Sequence, residues 1–317
     1  IKLFILPFEN LSSNAQAFNK IYPLLTEELK KKGFTFYDEN TIKKIMKALE
    51  IKDRSFILKS QMEKLYRNYG IEYIMIGSVF KFLEDKNPKV SLHARIIKLP
   101  EMRVLWSGYY GKTGDDYESF FGLRKIKDIM LLSKKVLSKL FSDLNKEGLS
   151  NDITFKKSKK IAIFPFRNLS QEAWVGKLTT YLLLTELTRQ KDFQIFELGE
   201  IIEFMRNHSI LPLSELSNSQ LEDINLDLGA DYVILGSVDD FREEGERAYY
   251  PEVVLALRLI ATQEKKIIFM DDCYFTGISS EGIFERGRLR LADTVTYECV
   301  KTLVNKLKNK LKATEGK

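Results

Sequence analysis

The chain has 317 residues, 44% hydrophobic and 30% charged, with a formal net charge of +6. That length accommodates two ordinary domains, each able to bury its own core, and the absence of a long uninterrupted apolar run excludes a membrane-spanning helix. Two cysteines, Cys273 and Cys299, exclude a disulfide-rich scaffold and leave the redox compartment open.

Read in order, "IKLFILPF" is a short apolar strand that proline stops from pairing. Asn10-Leu11-Ser12 then supplies polar caps and a tight turn before a helix over roughly Ala15–Lys32. A strand "FTFYD" follows, then a helical pattern around Ile42–Leu49 and a helix "SQMEKLYRNYG" stopped by Gly70. The rhythm changes at "IEYIMIGSVFKF", "PKVSLHARIIKL" and "RVLWSGYYG", strands separated by loops short enough for antiparallel hairpins. A long amphipathic helix around Arg124–Leu144 closes the series. The polar, aperiodic "NKEGLSNDITFKKSKK" reads as a linker.

The series then repeats. Pro7, Phe8, Asn10, Leu11 and Ser12 match Pro165, Phe166, Asn168, Leu169 and Ser170. Further on, Leu24-Leu25-Thr26-Glu27 matches Leu183-Leu184-Thr185-Glu186, and "YIMIGSV" at Tyr73 matches "YVILGSV" at Tyr232. Matching blocks in the same order mark a tandem duplication. The second copy has its own strand "KKIAIFPF", a helix over Glu172–Arg189, a helix stop at Gly229 and a closing helix around Leu289–Leu311. The expected fold is α/β: two tandem mixed-sheet β-α-β-α-α-β-β-β-α domains with helices packed on the sheet. Their expected bounds are 1–145 and 159–312, with a linker at 146–158 and a flexible tail at 313–317.

The repeated Pro-Phe-x-Asn-Leu-Ser, the helical Leu-Thr-Glu and the strand ending in Gly-Ser-Val resemble the TolB amino-terminal-like and curli-secretion (CsgG-like) superfamily. The resemblance covers most of both halves. It implies a small α/β domain used in bacterial envelope proteins, often periplasmic or outer-membrane lipoproteins. Relatives serve secretion channels, export rings, peptidoglycan-synthase activation, motor rings and the Tol system, while some similar domains sit on cytoplasmic regulators. The membrane-inserting hairpins of the curli channel have no counterpart here. The loops "EDKNPK" and "REEGERAYYPE" are short and charged, and a transmembrane strand needs about 9–11 residues.

Catalytic signatures fail one by one. The third position of the repeated loop is Glu9 in one copy and Arg167 in the other, a reversal that one shared catalytic role would not tolerate. Pro7, Asn10, Ser12, Pro165, Asn168 and Ser170 therefore read as a structural turn, with a shared ligand loop as the alternative. Gly111-Lys112-Thr113 lacks the upstream glycine of a phosphate loop, since Trp106 holds that place. His93 and His208 lie in different copies without partners at metal spacing. The pairs Asp115-Asp116, Asp239-Asp240 and Asp271-Asp272 read as turn and strand-end solvation, because adjacent carboxylates on a strand face opposite ways. Cys273 and Cys299 read as core positions, with a bond between them undecided.

One basic feature remains: Arg124, Lys125 and Lys127 before the first closing helix, and Arg286, Arg288 and Arg290 before the second. Positive charge in a helix's first turn opposes the macrodipole, so these six are the candidates for contact with an anionic partner. The expectation is a non-enzymatic envelope assembly or interaction protein, oligomeric, without metal or cofactor. Its expected partners are envelope proteins and an anionic cell-wall or membrane surface, not nucleic acid. It is expected in the periplasm, anchored through a signal or lipoprotein segment before Ile1. The alternative is a cytoplasmic regulatory or sensory module of the same fold that binds a small ligand.

Overall fold

Proline decides where the first strand stops. β1 (Lys2–Ile5) pairs in parallel with β3 (Thr35–Phe36) on one side and β4 (Tyr73–Leu83) on the other. Leu6 still donates its N–H to the Met75 carbonyl at 3.0 Å. Pro7 has no N–H to donate, and the chain steps away from the sheet. It returns as β2 (Glu9–Asn10), again parallel to β4, with Glu9 opposite Ser78 and Asn10 opposite Val79.

The computed structural model describes residues 1–118, 125–150, 158–190, 192–211, 215–245, 249–279 and 287–315. The chain divides into two units, Ile1–Thr154 and Phe155–Lys317.

In the first domain β5 (Lys89–Lys98) and β6 (Arg103–Thr113) extend the sheet by antiparallel hairpins, giving the order β3-β1-β4-β5-β6. α1 (Ala17–Lys31) sets Ala17, Ile21, Leu25 and Leu29 on one face at four-residue spacing. α4 (Ile129–Leu140) contributes Leu132, Val136 and Leu140. These residues form one core with Leu3, Ile5, Met75, Leu92, Ile96 and Trp106. Strand alternation sends Phe4, Leu6, Ile74 and Ile76 to the opposite side, where they too are buried. α2 (Glu39–Ala48) and α3 (Lys59–Tyr69) carry the chain from β3 to β4, and α3 ends at Gly70 with φ +63°.

The expected linker begins later than its composition indicates. Residues Lys146–Ser150 form a short helix, α5, and Leu149 is buried in the first domain's core. The rest of that segment, up to residue 157, lies outside the described residues.

The second domain repeats the plan. β7 (Lys159–Ile163), β8 (Arg167–Asn168), α6 (Val175–Thr188), β9 (Phe193–Ile195) and α7 (Leu198–Asn207) come first. α8 (Asn218–Asp223) runs into a π-helical turn at Ile224–Leu228, which Gly229 closes with φ +76°. β10 (Tyr232–Arg242), β11 (Glu252–Ala261) and β12 (Lys266–Thr276) complete the sheet, and α9 (Ala292–Glu315) covers it. The order is β12-β11-β10-β7-β9. α9 reaches Glu315, into the segment expected as a flexible tail.

Even the irregularities are duplicated. The β4–β5 ladder slips between Val79 and Lys81, and β10–β11 slips between Val238 and Asp240. The next ladder slips at Ile96/Ile97 in one copy and at Leu259/Ile260 in the other. Bulges bend a sheet locally, so both copies bend at matching points.

The two sheets differ in how their second face is treated. α7, α8 and the π-helical turn supply Ile201, Phe204, Met205, Leu221 and Ile224 to a core with Ala162, Phe164 and Val233, over the parallel strands. Farther along that face, Met270 is 72% and Tyr274 61% exposed on β12. In the first domain the matching face carries Ser91, His93, Arg95, Ser107 and Tyr109, all buried.

Candidate functional site

The repeated loop is a turn, not a helix cap. Asn10 Oδ1 accepts from the Ser12 N–H at 3.1 Å and from Ser12 Oγ at 2.7 Å, while Asn10 Nδ2 donates to the Asn14 carbonyl at 2.7 Å. Asn168 makes the same three bonds, to Ser170 N at 3.0 Å, to Ser170 Oγ at 2.7 Å and to the Glu172 carbonyl at 2.7 Å. The expected capping is corrected: Gln16 and Trp174 occupy the N-cap positions, without side-chain caps. An asparagine that bonds its own backbone two residues on closes the turn by itself. Its polar groups are thereby spent on the backbone rather than offered to a ligand.

The basic segments also sit elsewhere than expected. α4 starts at Ile129, capped by Asp128, whose side chain accepts from the Leu131 N–H at 2.6 Å, and α9 starts at Ala292 with Asp293 in its first turn. Lys125, Lys127, Arg288 and Arg290 therefore precede their helices, and the macrodipole argument does not apply to them. Lys125 pairs with Asp115. Arg288 pairs with Glu244 at 2.8 Å and lies over the Tyr250 ring at 4.9 Å. Arg124 and Arg286 lie outside the described residues.

These pairs belong to a second duplicated tie. Gly114 donates to the Pro88 carbonyl and accepts from the Ile126 N–H, at 2.8 and 3.2 Å. Gly277 does the same with Pro251 and Leu289, at 2.8 and 2.7 Å. Lys125 and Arg288 thus occupy matching places, each beside a strap that pins the segment before the closing helix.

The acidic pairs are engaged internally. Asp116 accepts from the Thr113 N–H at 2.7 Å, Asp239 from Ser237 Oγ at 2.7 Å, Asp240 pairs with Arg242 at 2.6 Å and Asp271 with Lys306 at 2.9 Å. His93 is buried with Nε2 3.1 Å from Ser107 Oγ. Burial, with the Arg95 charge adding to it, holds its pKa well below the ordinary imidazole range. The matching positions along β5 and β11 keep an arginine but not its partner. Arg95 donates to the Ser55 carbonyl at 2.9 Å, and Arg258 to the Glu215 carboxylate at 2.8 Å.

Two groupings went unread in the sequence. Cys273 on β12 and Cys299 on α9 form a disulfide, with Cα atoms 5.8 Å apart. The matching residues of the first domain, Tyr110 and Val136, carry no sulfur. His208, expected to stand without partners at metal spacing, lies between Asp223 and Asp227, a correction that only the fold could supply.

Among the described residues, two openings bear on a partner or a ligand. In the second domain a groove of about 270 Å³ runs along the exposed sheet face, lined by Leu169, Leu235, Ser237, Ala256, Arg258 and Met270. In the first domain a crevice of about 260 Å³ lies at the carboxyl end of β1, between α1 and α2, lined by Pro7, Phe18, Tyr22 and Ile42. Burial, with the Glu39 charge adding to it, raises the Tyr22 pKa above the ordinary phenol value.

No family model matches the chain. No curated protein matches it either. Solved structures do. The PelC dodecamer protein of Paraburkholderia phytofirmans aligns at 16% identity and TM-score 0.31, over 47% of this chain and 87% of its own. The C-terminal domain of LpoB from Salmonella enterica aligns at 16% identity and TM-score 0.30, over 43% and 90%. Lipoprotein GNA1162 from Neisseria meningitidis aligns at 14% identity and TM-score 0.32, over 48% and 99%.

Proposed function

We propose that the chain is a non-enzymatic interaction module of the bacterial cell envelope, which docks a protein partner on the exposed sheet face of its second domain. The observation that carries this reading is the contrast between matching faces. Ser107 and Tyr109 are buried in the first domain, whereas Met270 and Tyr274 are exposed in the second. A methionine and a tyrosine held on a rigid sheet are the side chains that protein interfaces favour. Pairing between Cys273 and Cys299 supports a compartment outside the reducing cytosol. The resemblance of the repeated motif supports the envelope, and within it a secretion, motor-ring or peptidoglycan-associated assembly.

The test is site-specific photocrosslinking in the native cell, with the probe at position 270 and, as control, at exposed Lys44. Discrete adducts from position 270 alone are expected, and Tyr274→Glu should remove them while circular dichroism stays unchanged. Equal labelling from both positions, or none from 270, would end this reading.

A second reading, a regulatory module that binds a small ligand, draws on the crevice beside Pro7. It lies at the carboxyl end of β1, where the chain leaves for β3 on one side of the strand and returns from β3 to β4 on the other, the place where open α/β sheets hold ligands. Pro23 and Glu39 also line the crevice, and Leu182 and Leu198, which match them in the second domain, are buried. Small aromatic compounds should perturb NMR signals of Phe18 and Tyr22, and Ile42→Trp should abolish the effect. Unperturbed spectra at millimolar compound would remove this reading.

A further inference from the structure

We infer that His208, Asp223 and Asp227 form a site for one divalent transition-metal ion of the zinc class, confined to the second domain. His208 closes α7, and its ring stacks on Phe204 with centroids 4.1 Å apart. The ring is therefore held by packing before any ion arrives. Nδ1 lies 3.6 Å from Asp223 Oδ2, and Nε2 lies 3.5 Å from Asp227 Oδ2. One donor atom from each residue falls within 4.8 Å of the other two. Donors around zinc at about 2.0–2.2 Å from the ion stand roughly 3.3–3.5 Å apart. One ion takes one ring nitrogen, so the carboxylate now beside the other nitrogen must swing toward it for the site to close.

Charge points the same way. Asp223 and Asp227 sit four residues apart on one helical turn, where like charges oppose the helix. Among the described residues, the imidazole is the one basic group within ion-pair distance of either, and it is charged only when protonated. Glu222 beside them is already paired with Lys265 at 2.8 Å. Two carboxylates and a neutral imidazole balance one divalent cation. A nitrogen donor with two oxygens favours zinc-type metals over magnesium or calcium, which prefer oxygen alone. The first domain supplies a built-in control: Leu49, Lys64 and Asn68 stand at the matching positions, so one ion per chain is expected.

The experiment is calorimetric titration of the full chain with Zn²⁺, Mg²⁺ and Ca²⁺, paired with thermal melts. Zn²⁺ should bind at one equivalent and raise Tm by mass action. His208→Ala should weaken binding at least tenfold, and so should Asp223→Asn and Asp227→Asn. Half-buried Asp223 and exposed Asp227 lie outside the core and can be neutralised without disturbing it, so they keep the test valid should the histidine variant fold poorly. Unsaturable Zn²⁺ uptake would overturn the site, as would equal binding in the Asn variants. A Tm rise with Mg²⁺ or Ca²⁺ matching that with Zn²⁺ would remove the histidine from it. None of these outcomes depends on the partner-docking reading.

Discussion

The ring of Phe8 fills the space that a side chain on Gly77 would need. A Cβ at that position would overlap Cε2 and Cζ of the ring. Phe166 stands in the same relation to Gly236. The Phe of the repeated loop and the Gly of Gly-Ser-Val are thus two halves of one contact. Beside it, Asn10 pairs with Val79 and Asn168 with Val238, which locks the loop along the strand. Gly77→Ala should cost about 1–3 kcal/mol by overpacking. Phe8→Leu should cost stability alone yet recover part of it when combined with Gly77→Ala. Denaturant melts of the single and double variants check the coupling.

The disulfide should stabilise the second domain selectively. Cys273 and Cys299 are 26 residues apart, a loop for which cross-linking contributes roughly 3 kcal/mol. Reductant should lower the melting transition of the second domain and leave that of the first in place. The Cys273→Ala/Cys299→Ala variant should melt at the reduced temperature and show no response to reductant.

Arg288 separates a folding role from a partner role. Its guanidinium is largely buried between Glu244 and the Tyr250 ring. Arg288→Glu should destabilise the second domain by about 1.5–3 kcal/mol, the range for charge-assisted bonds. Adding Glu244→Arg should restore much of the loss. A variant that keeps its melting temperature but loses its crosslinked partners would instead assign Arg288 to the interface.

His93 predicts an acid sensitivity. Buried and neutral, it refuses a proton that the unfolded chain accepts below a pKa of about 6.5. Its contribution is therefore complete above that pH and declines as pH falls toward the lower folded value. The slope approaches 1.4 kcal/mol per pH unit at most. His93→Gln should flatten the stability profile between pH 6.5 and 5, as read by urea melts at each pH.

Strand and helix order is legible in this sequence because each element carries its own period and punctuation. Pro7, Gly70 and Gly229 mark stops that the backbone obeys. What escapes a linear reading is pairing across distance. Phe8 and Gly77 belong to different elements, and no local pattern joins them. Cys273 and Cys299 each look like core residues, since a disulfide in a packed core shows the same apolar neighbours. His208 gains its carboxylates from a helix that follows later in the chain. The basic segments mislead for a different reason: helix starts read from periodicity ran ahead of Asp128 and Ala292, placing loop charges inside a first turn.

β12 is also the last strand of its sheet, with β11 its one neighbour among the described residues. An outer strand carrying Ile267, Met270 and Tyr274 to solvent invites edge-to-edge pairing with any other unpaired strand. Asp271 and Asp272 stand in its middle, on opposite sides of the sheet. Stacking a second such strand alongside would bring Asp272 carboxylates together on one side and crowd the Asp271–Lys306 pairs on the other, which disfavours sheet extension. Approach from above meets only one of the two, together with methionine and tyrosine. The strand is therefore sticky in one direction and repellent in the other, and this lets an apolar surface stay exposed without seeding fibres.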